Sequence, residues 1–456
     1  MIIITSSYLH NHYLDDNKGG DAAITGLVEM LREMIPNARI ITNIQLKNQY
    51  LVKNHGLEVI PARIFAIKHH SPVTVISSYI DLALAYVWHC THKLLGKDIN
   101  FLLKRKKLRA YREADIIIYM VMDNLVDGFG AVDVIEHCKD IWIGFMLDKK
   151  TVVYAASIGP VSNYPVRTLL KKTLQKTTAI SAREINTINW LKDNNINKPD
   201  ISLVADPAIL LNSDGRELDE LDIPEGVSPL IGLIIPDIFH WKAEKSVKKI
   251  SLAHLLFRTT SFILPELITK KIVNTLLSSK LLSWINNSRE QFWADIASII
   301  DYLNSEIGAS VLLMTHIDEH SFFSDVRVDV QNIFTMVKKP SCVTLVPSHL
   351  SAAAHKELIS RCDMVISGKM HAAIAALTKS VPTIAIPYGA KFPGMMQTFG
   401  QEDCICAMKS NADLLDMINT VWSHREKVRK DLDAVNQSVR EQALEGGSLI
   451  RNMINH

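Results

Sequence analysis

Residues 363–376 read Asp-Met-Val-Ile-Ser-Gly-Lys-Met-His-Ala-Ala-Ile-Ala-Ala. The apolar run predicts a buried strand, Ser367-Gly368 predicts a tight turn, and the small residues after it predict a helix that packs closely on its sheet. A strand followed directly by such a helix is the building unit of a parallel α/β sheet. His371 falls in the first turn of this helix, at the sheet edge where ligands bind in open α/β folds.

Short β-branched runs alternate with amphipathic stretches on both sides of this segment, which predicts an α/β protein with two parallel sheets. The predicted strands are at 1–5, 38–43, 115–121, 151–155, 178–181, 201–204, 229–235, 309–314, 342–345, 363–367 and 382–386. The predicted helices are at 20–34, 73–95, 130–137, 165–174, 184–194, 291–306, 350–360 and 370–378. One or two further helices are expected within 410–454.

Turn residues and charge are concentrated at 211–228, which predicts a boundary between two domains. We therefore expect a domain at 1–215, a second at 216–408, and C-terminal helices at 409–456. Residues 237–290 are too long for an ordinary strand-to-helix connection. Two interpretations stay open for this insertion: a lid or acceptor-binding element, and a helical decoration.

Composition narrows the classes of function. Of the 456 residues 48% are apolar and 21% are charged, as in ordinary globular proteins. The formal net charge of +2 argues against a dedicated nucleic-acid binder. The six cysteines form no CxxC pair and have no matching histidine spacing, so we expect free thiols and no metal site.

The chain begins Met-Ile-Ile-Ile-Thr-Ser-Ser, without the basic start of a signal peptide, so a cytoplasmic location is expected. Residues 73–90 are largely apolar but contain Asp81, which favours a buried or interfacial helix over a membrane span. Five basic residues lie at 104–109. Such a cluster beside an apolar helix is typical of peripheral contact with anionic lipid, and a solvated helix face is the alternative.

Other candidate site residues follow predicted strands or open predicted helices. In Asn17-Lys18-Gly19-Gly20-Asp21 the paired glycines permit close backbone approach, and a helix N-terminus there suits an anion or a hydroxyl-rich ligand. Asp21 is either a helix cap or a group that binds a sugar hydroxyl and accepts its proton. Ser157-Ile158-Gly159-Pro160 is first of all a turn at a strand end.

Basic residues form a second group of candidates. Arg183, in Ser181-Ala182-Arg183-Glu184, offers the planar donors that suit phosphate and carboxylate, and a surface ion pair is the alternative. Lys369 adds a positive charge to the turn before His371, where the N–H groups of Ser367 and Gly368 are placed to hold an anion. Lys391 follows the next strand, so two successive sheet edges deliver cations to one region.

Taken in order, these motifs resemble the polysaccharide pyruvyl transferase family over nearly the whole chain. The family's marks correspond to 17–21, 157–160, 181–184, 206–207, 367–372, 381–382 and 388–391. The resemblance implies two Rossmann-like domains facing a cleft, as in glycosyltransferases of the B type.

The resemblance also implies an activity. Members of the family transfer the enolpyruvyl group of phosphoenolpyruvate onto two hydroxyls of a sugar, forming a cyclic ketal and releasing phosphate. By this resemblance His371 is the general acid/base, and Arg183, Lys369 and Lys391 hold the phosphate and carboxylate. Asp21 is a second catalytic candidate, and the implied substrate-binding residues also include Asn17, Gly20, Ser157, Gly159, Ser367 and Gly368.

The expected partners are phosphoenolpyruvate as donor substrate, with no cofactor, and a glycan acceptor that is polymeric or lipid-linked. Two departures from the family pattern stand out: Lys369 replaces the usual arginine, which keeps the charge but not the bidentate fork, and the glycine-rich segment of the first domain is reduced to 122–130. Two alternative functions remain. One is a nucleotide-sugar-dependent glycosyltransferase of the same fold, and the other is a non-catalytic glycan-binding protein.

Overall fold

The structure, a computed structural model, describes residues 1–7, 17–42, 55–60, 72–96, 98–127, 130–218, 229–235, 279–316, 326–387, 391–408 and 410–455. Contacts divide the chain into two compact units. The first comprises residues 1–14, 23–211 and 438–456, and the second comprises 15–22 and 212–437. Residues 17–21 therefore belong to the second unit, although they precede most of the first along the chain.

The first unit is built on a seven-stranded sheet whose strands are all parallel. Its strands are β1 (Ile2–Ser7), β2 (Arg39–Thr42), β3 (Glu58–Val59), β4 (Ile116–Met120), β5 (Lys150–Ala156), β6 (Ala179–Ala182) and β7 (Asp200–Leu203). They lie in the order β3-β2-β1-β4-β5-β6-β7. All five residues of β4 are buried, as expected for a central strand covered by helices on both faces.

The second unit is built on a five-stranded sheet, also parallel throughout. Its strands are β8 (Leu230–Ile234), β9 (Ser310–Met314), β10 (Val343–Leu345), β11 (Met364–Ser367) and β12 (Thr383–Ala385). The order is β10-β9-β8-β11-β12, with β8 in the centre. Chain direction across the sheet reverses between β8 and β11, which creates a topological switch point there.

Twelve α-helices lie in the described part of the chain. They are α1 (Lys18–Met34), α2 (Pro72–Leu95), α3 (Lys106–Glu113), α4 (Ala131–Met146), α5 (Tyr164–Leu174), α6 (Ile185–Asp193), α7 (Ser279–Ile307), α8 (Val326–Met336), α9 (Ala352–Ser360), α10 (Met370–Leu377), α11 (Lys391–Thr398) and α12 (Asn411–Asn455). None of the helices in these ranges is both long and apolar enough to cross a membrane.

The sequence predicted every strand of the described residues except β3, which has two residues. It also predicted the strand, turn and helix of residues 363–376. As predicted, α10 packs closely on its sheet. Seven of its eight residues are buried, and its small side chains allow this close approach. The tail is one helix, α12, of 45 residues. The six cysteines are free thiols, as expected. The domain limits and most of the insertion at 237–290 stay predictions, since 219–228 and 236–278 lie outside the described residues and only 279–290 fall within α7.

Helix α4 is longer than the sequence predicts. The sequence predicted a helix at 130–137, which is too short, because charged residues interrupt the apolar pattern after that point. In the structure these charges are buried and paired: Lys139 contacts Glu136, and Asp140 accepts a hydrogen bond from Lys107 at 2.6 Å. Helix α3 was missed for a related reason, since its sequence reads as a charge cluster although Leu108 and Tyr111 are buried.

Candidate active site

The candidate site of the second unit lies at the carboxyl edge of its sheet, beside the switch point. His316 follows β9 and His371 lies in the first turn of α10, directly after β11. These two strands flank the central strand β8, so the topology brings the two histidines toward the same crevice. The position of His371 is the one that the sequence predicted.

The turn before His371 is closed by its own hydrogen bonds. Ser367 Oγ donates to the carbonyl oxygen of Lys369 at 2.8 Å and accepts from the Lys369 N–H at 3.1 Å. The Gly368 N–H donates to the carbonyl oxygen of Ile234 at 2.9 Å. Because the N–H groups of Gly368 and Lys369 are already bonded within the protein, an anion at this turn has to be held by side chains rather than by these two amides.

The N-terminus of α1 packs directly against His371. A Cβ atom added to Gly19 would lie 2.3 Å from His371 Nδ1, so only glycine fits beside the imidazole. Asn17 Oδ1 accepts hydrogen bonds from the N–H groups of Gly19 and Gly20 and so caps the helix. The Lys18 N–H donates to the carbonyl oxygen of His316 at 3.1 Å. The close backbone approach expected of the paired glycines is therefore real, and it is Gly19 that provides it.

Asp21 contacts another helix of the same unit. Its Oδ2 accepts a hydrogen bond from the Ala352 N–H at 3.2 Å, at the N-terminus of α9. Ser351 caps that helix by accepting from the Ala354 N–H. A carboxylate at a helix N-terminus is favourable because the helix dipole is positive there. Asp21 is thus not the cap of α1, which is Asn17; its carboxylate bonds the N-terminus of α9 instead, and its catalytic role stays a prediction.

Two buried histidines complete this region. The rings of His316 and His355 lie edge to face, 6.1 Å apart between centroids. Burial, followed by the positive influence of His355, His371, Lys18 and Lys369, lowers the pKa of His316 well below its ordinary value. Burial and the nearby Lys18 lower the pKa of His355 to about 3. Both imidazoles are therefore neutral at physiological pH.

We call Lys18, His316, Lys369 and His371 the basic cluster. Lys18 is 3% exposed, His316 5% and Lys369 9%, so these side chains are largely removed from bulk water. Every charged or ionisable group that shifts the pKa of His316 is basic. Both ring nitrogens of His316 lack a hydrogen-bond partner among the described residues. The arrangement is suited to an anion that carries hydrogen-bond acceptors.

Three residues of this region were not singled out from the sequence: Lys18, His316 and His355. His316 follows a predicted strand by two residues, and the rule that ligands bind at strand ends could have found it. Lys18 lies inside a motif whose glycines and aspartate drew the attention. His355 lies within α9, and no local sequence signal marks it, because only the tertiary fold places it beside His316.

In the first unit, three of the sequence motifs converge on Arg183. Its Nε donates to Ser157 Oγ at 2.9 Å, and one terminal nitrogen donates to Asp206 Oδ2 at 2.8 Å. Asp206 Oδ1 also accepts from the Ala208 N–H and caps the short turn that follows. The buried guanidinium of Arg183 thus holds together motifs 157–160, 181–184 and 206–207. We call Ser157, Arg183 and Asp206 the Arg183 centre.

The charge of Arg183 is firmly retained. Burial by itself lowers its pKa, but the acidic side chains of Asp206, Asp123 and Glu184 outweigh this effect and raise the pKa above its ordinary value. Gly159 is similarly committed to packing: it has φ of +72°, and a Cβ atom there would lie 2.4 Å from the Trp190 ring. Arg183 does form an ion pair, with Asp206, but this pair is buried and does not lie at the surface. The alternative of a surface ion pair for Arg183 is therefore wrong.

The remaining predicted residues are placed as follows. Lys391 begins α11, after β12 as expected, and its side chain lies outside what the structure describes. Arg183 belongs to the first unit, whereas Lys369 and His371 belong to the second. The prediction that these residues share one anion pocket stays a prediction, as do the substrate contacts of Asn17, Gly20, Ser157 and Gly159.

Most of the chain matches the model of a known protein family. The family model described as polysaccharide pyruvyl transferase matches residues 17–389, which contain both the basic cluster and the Arg183 centre. The chain belongs to the polysaccharide pyruvyl transferase family. It is accordingly a transferase, and the non-catalytic alternative is not retained. A search of curated proteins by sequence gave no significant match.

Solved structures confirm the glycosyltransferase-B-like fold. Anabaena Alr3699/HepE in complex with UDP and glucose aligns with a TM-score of 0.56 at 11% identity, covering 99% of both chains. A glycosyltransferase from Rickettsia africae gives 0.55 at 12% identity, covering 99% of this chain and 98% of its own. The UDP-GlcNAc 2-epimerase from Neisseria meningitidis, bound to UDP-GlcNAc, gives 0.54 at 10%, covering 100% and 99%. At these identities the likeness concerns the fold alone.

Proposed function

We propose that this transferase moves the enolpyruvyl group of phosphoenolpyruvate onto two hydroxyls of one sugar in a glycan, forming a pyruvate ketal and releasing phosphate. The observation that carries the proposal is the basic cluster around His371. Family membership supports a pyruvyl transfer, and the cluster supports a small, multiply charged anion as donor.

The donor matches the cluster in charge and size. Phosphoenolpyruvate carries a phosphate and a carboxylate, so a site that binds it needs several cations close together. Lys18 and Lys369 supply two such charges near His371 within one unit. In a site of low exposure each charged hydrogen bond to the donor contributes about 1.5–3 kcal/mol. In this proposal Lys369 and Lys18 bind the phosphate and carboxylate oxygens, together with Lys391.

His316 has a different role in the same proposal. Because its imidazole is neutral, His316 donates a hydrogen bond to an oxygen of phosphoenolpyruvate without adding a further positive charge beside Lys18 and Lys369. A ligand contact also satisfies ring nitrogens that otherwise stay unbonded in the interior, where each unsatisfied polar group costs roughly 1–3 kcal/mol.

The chemistry proceeds by protonation and two additions at one carbon. His371 donates a proton to the methylene carbon of the donor, which leaves positive charge on the carbon that bears the phosphate. A sugar hydroxyl attacks that carbon and gives its proton back to His371. The second hydroxyl then displaces phosphate, its proton leaves with the phosphate, and the ketal ring closes. Holding two hydroxyls against one carbon supplies much of the rate.

The acceptor in this proposal is a glycan, either polymeric or lipid-linked, and Asp21 is the proposed partner of an acceptor hydroxyl. A cytoplasmic location at the inner face of a membrane belongs to the same proposal, because a lipid-linked glycan is held at a bilayer surface. No metal enters the scheme.

A second donor has one observation in its favour. The Anabaena and Neisseria proteins of the same fold were crystallised with UDP or UDP-GlcNAc. A nucleotide-sugar donor would have to be recognised through its base and ribose as well as through its diphosphate. The two donors therefore differ in which compounds stabilise the protein.

Thermal unfolding in the presence of ligands tests the donor, because a ligand that binds only the folded state raises its stability. We expect phosphoenolpyruvate to raise the Tm of the wild-type protein, and UDP and UDP-sugars to leave it unchanged. Lys369→Met should remove most of this shift, whereas Lys369→Arg should keep part of it because it keeps the charge. Lys379→Met, an exposed lysine of the same unit, is the matched control and should behave as wild type.

The opposite pattern overturns the proposal. Stabilisation by UDP or a UDP-sugar without stabilisation by phosphoenolpyruvate would identify a nucleotide-sugar donor. If Lys369→Met and Lys379→Met lost the phosphoenolpyruvate-induced rise in Tm equally, the ligand would bind through the overall positive charge of the protein and not through Lys369.

A further inference from the structure

Helix α2 in the first unit places its polar residues inward. Ser77, Ser78 and Asp81 are buried, next to the fully buried Ala85 and Trp88. Surface helices of globular proteins ordinarily show the reverse pattern, with apolar residues toward the core. The inward face of α2 is thus polar in its amino-terminal half, at Ser77, Ser78 and Asp81, and apolar further on, where Ala85 and Trp88 belong to the core.

These inward polar groups are satisfied by neighbouring basic side chains. Arg105 bonds the carboxylate of Asp81 and the hydroxyl of Ser77, and it donates to the Ser77 carbonyl oxygen at 3.1 Å. Lys139 donates to Ser78 Oγ at 2.8 Å. Buried polar groups that are bonded in this way do not need water. The orientation of α2 is therefore fixed by specific contacts on its polar face.

The opposite face of α2 is apolar and exposed. We call it the exposed stripe, and it consists of Ile76, Ile80, Ala83, Tyr86, Val87 and Leu94. Ile76 is 59% exposed, Val87 45% and Leu94 83%. The spacing of three, four and seven residues places all six on one side of the helix, across about five turns. Phe101, just beyond the helix, is also exposed.

Exposed cations accompany the stripe. Lys104, Lys106 and Arg109 are exposed, and none of the three forms an ion pair with any residue that the structure describes. Arg105 is bonded to Ser77 and Asp81, the residues that follow Ile76 and Ile80. Its sequence neighbours Lys104 and Lys106 therefore lie close to the amino-terminal half of α2.

We propose that the exposed stripe and the cations of 104–109 form a surface that docks on an anionic lipid bilayer. The apolar side chains enter the boundary between headgroups and acyl chains, and the cations contact anionic headgroups. The helix lies in the plane of the membrane. The proposal adds a docking surface to the proposed function with a lipid-linked acceptor, but it does not depend on which donor is used.

The charge distribution favours a bilayer over a second copy of the chain. A symmetric contact between two stripes would cover the apolar side chains, but the residues of the stripe include no acidic side chain to meet the cations of the other copy. An anionic bilayer offers opposite charge beside an apolar layer, which matches both parts of the surface.

Co-sedimentation with vesicles tests the surface. Wild-type protein should bind vesicles of phosphatidylcholine with phosphatidylglycerol and should not bind vesicles of phosphatidylcholine alone. The Ile80→Ser/Val87→Ser double variant should bind at least about tenfold more weakly, because both apolar contacts are lost. Lys104→Gln/Lys106→Gln should bind about 30-fold more weakly, because each cation contributes about 1 kcal/mol at an anionic surface. Its binding should also be less sensitive to added salt than that of the wild type.

Matched controls separate the surface from general effects. Val328→Ser replaces an equally exposed valine of the second unit, and Lys427→Gln/Lys430→Gln removes two exposed lysines of α12; both should bind vesicles as wild type does. His371→Ala should also bind normally, so failure of the proposed chemistry does not affect this result. Equal vesicle binding by the stripe variants and wild type would overturn the proposal, as would a wild-type dimer that the Ile80→Ser/Val87→Ser variant dissociates.

Discussion

The Arg183 centre and the basic cluster are both built around basic side chains, yet they differ in the charged groups that act on their central residue. In the first unit Arg183 is bonded to Asp206 and Ser157 inside the protein. In the second unit the groups that act on His316 are Lys18, Lys369 and two further histidines, all of them basic. A sequence motif shows that a cation is present, but only the fold shows which charged groups lie around it.

This difference assigns different tasks to the two regions. The Arg183 centre ties three loops together at the carboxyl edge of the first sheet, so it stabilises that edge. The basic cluster gathers positive charge around an imidazole, which suits the binding of an anion. Replacing residues in each region should therefore affect stability in the first and ligand chemistry in the second.

The largest effect is expected at Asp206. Asp206→Ala leaves Arg183 charged and buried without its main partner, and breaking a buried ion pair in this way costs about 3–5 kcal/mol. Chemical denaturation should show this loss in the free energy of unfolding. Asp214→Ala removes the partner of an exposed arginine, Arg216, and should change stability by less than about 1 kcal/mol.

The second unit supplies the contrast to that experiment. Lys369→Met should cost less free energy of unfolding than Asp206→Ala, because it removes one of the positive charges that act on His316 and does not strand a buried charge beside its former partner. A loss of several kcal/mol in Lys369→Met, or none in Asp206→Ala, would contradict the distinction between the two regions.

A smaller effect, on turnover rather than on folding, is expected at Gly19. Gly19→Ala places a methyl group against His371 Nδ1 and displaces the imidazole. Displacing a catalytic group by about 1 Å can cost roughly 10²-fold in rate. Phosphate release from phosphoenolpyruvate with a glycan acceptor should fall accordingly and approach the level of His371→Ala.

Gly215→Ala is the control, because a Cβ atom there meets its nearest neighbour, Glu357, at an ordinary 3.5 Å. Turnover of Gly215→Ala should equal that of wild type. If Gly19→Ala turned over at the wild-type rate while His371→Ala did not, the contact between α1 and His371 would not position the imidazole.

The sequence predicted the strands well because buried β-branched runs such as 116–118 have few alternative structures. It predicted helices less well where charges are buried in pairs, as along α4. Paired glycines also predicted close backbone approach at α1, and the structure identifies Gly19 as the residue that provides it. These successes all rest on local patterns of a few residues.

Site composition was harder to predict, because it depends on contacts between distant segments. Lys18 and His316 are about 300 positions apart along the chain and are joined by a backbone hydrogen bond. His355 reaches the cluster from the middle of α9, where its sequence context, three alanines and a lysine, is that of an ordinary helix. Arg183 was one candidate for binding phosphate or carboxylate, with an ion pair as the alternative, but its partner Asp206 lies 23 residues away and is recognisable as its partner only in the fold.

The smallest predicted effect is the dependence of stability on pH, which follows from His355. The unfolded chain takes up a proton on this imidazole near its ordinary pKa of 6.5, whereas burial and Lys18 lower the folded-state pKa to about 3. Stability contributed by the neutral form is therefore complete above pH 6.5 and is lost as the pH falls toward 3, at about 1.4 kcal/mol per pH unit. Between pH 6.5 and 5.5, His355→Gln should lose about 1 kcal/mol less than wild type. Denaturation curves at the two pH values measure this difference. A wild-type slope in His355→Gln would mean that His355 takes up a proton in the folded protein as readily as in the unfolded chain. That result would contradict the lowered pKa of this imidazole.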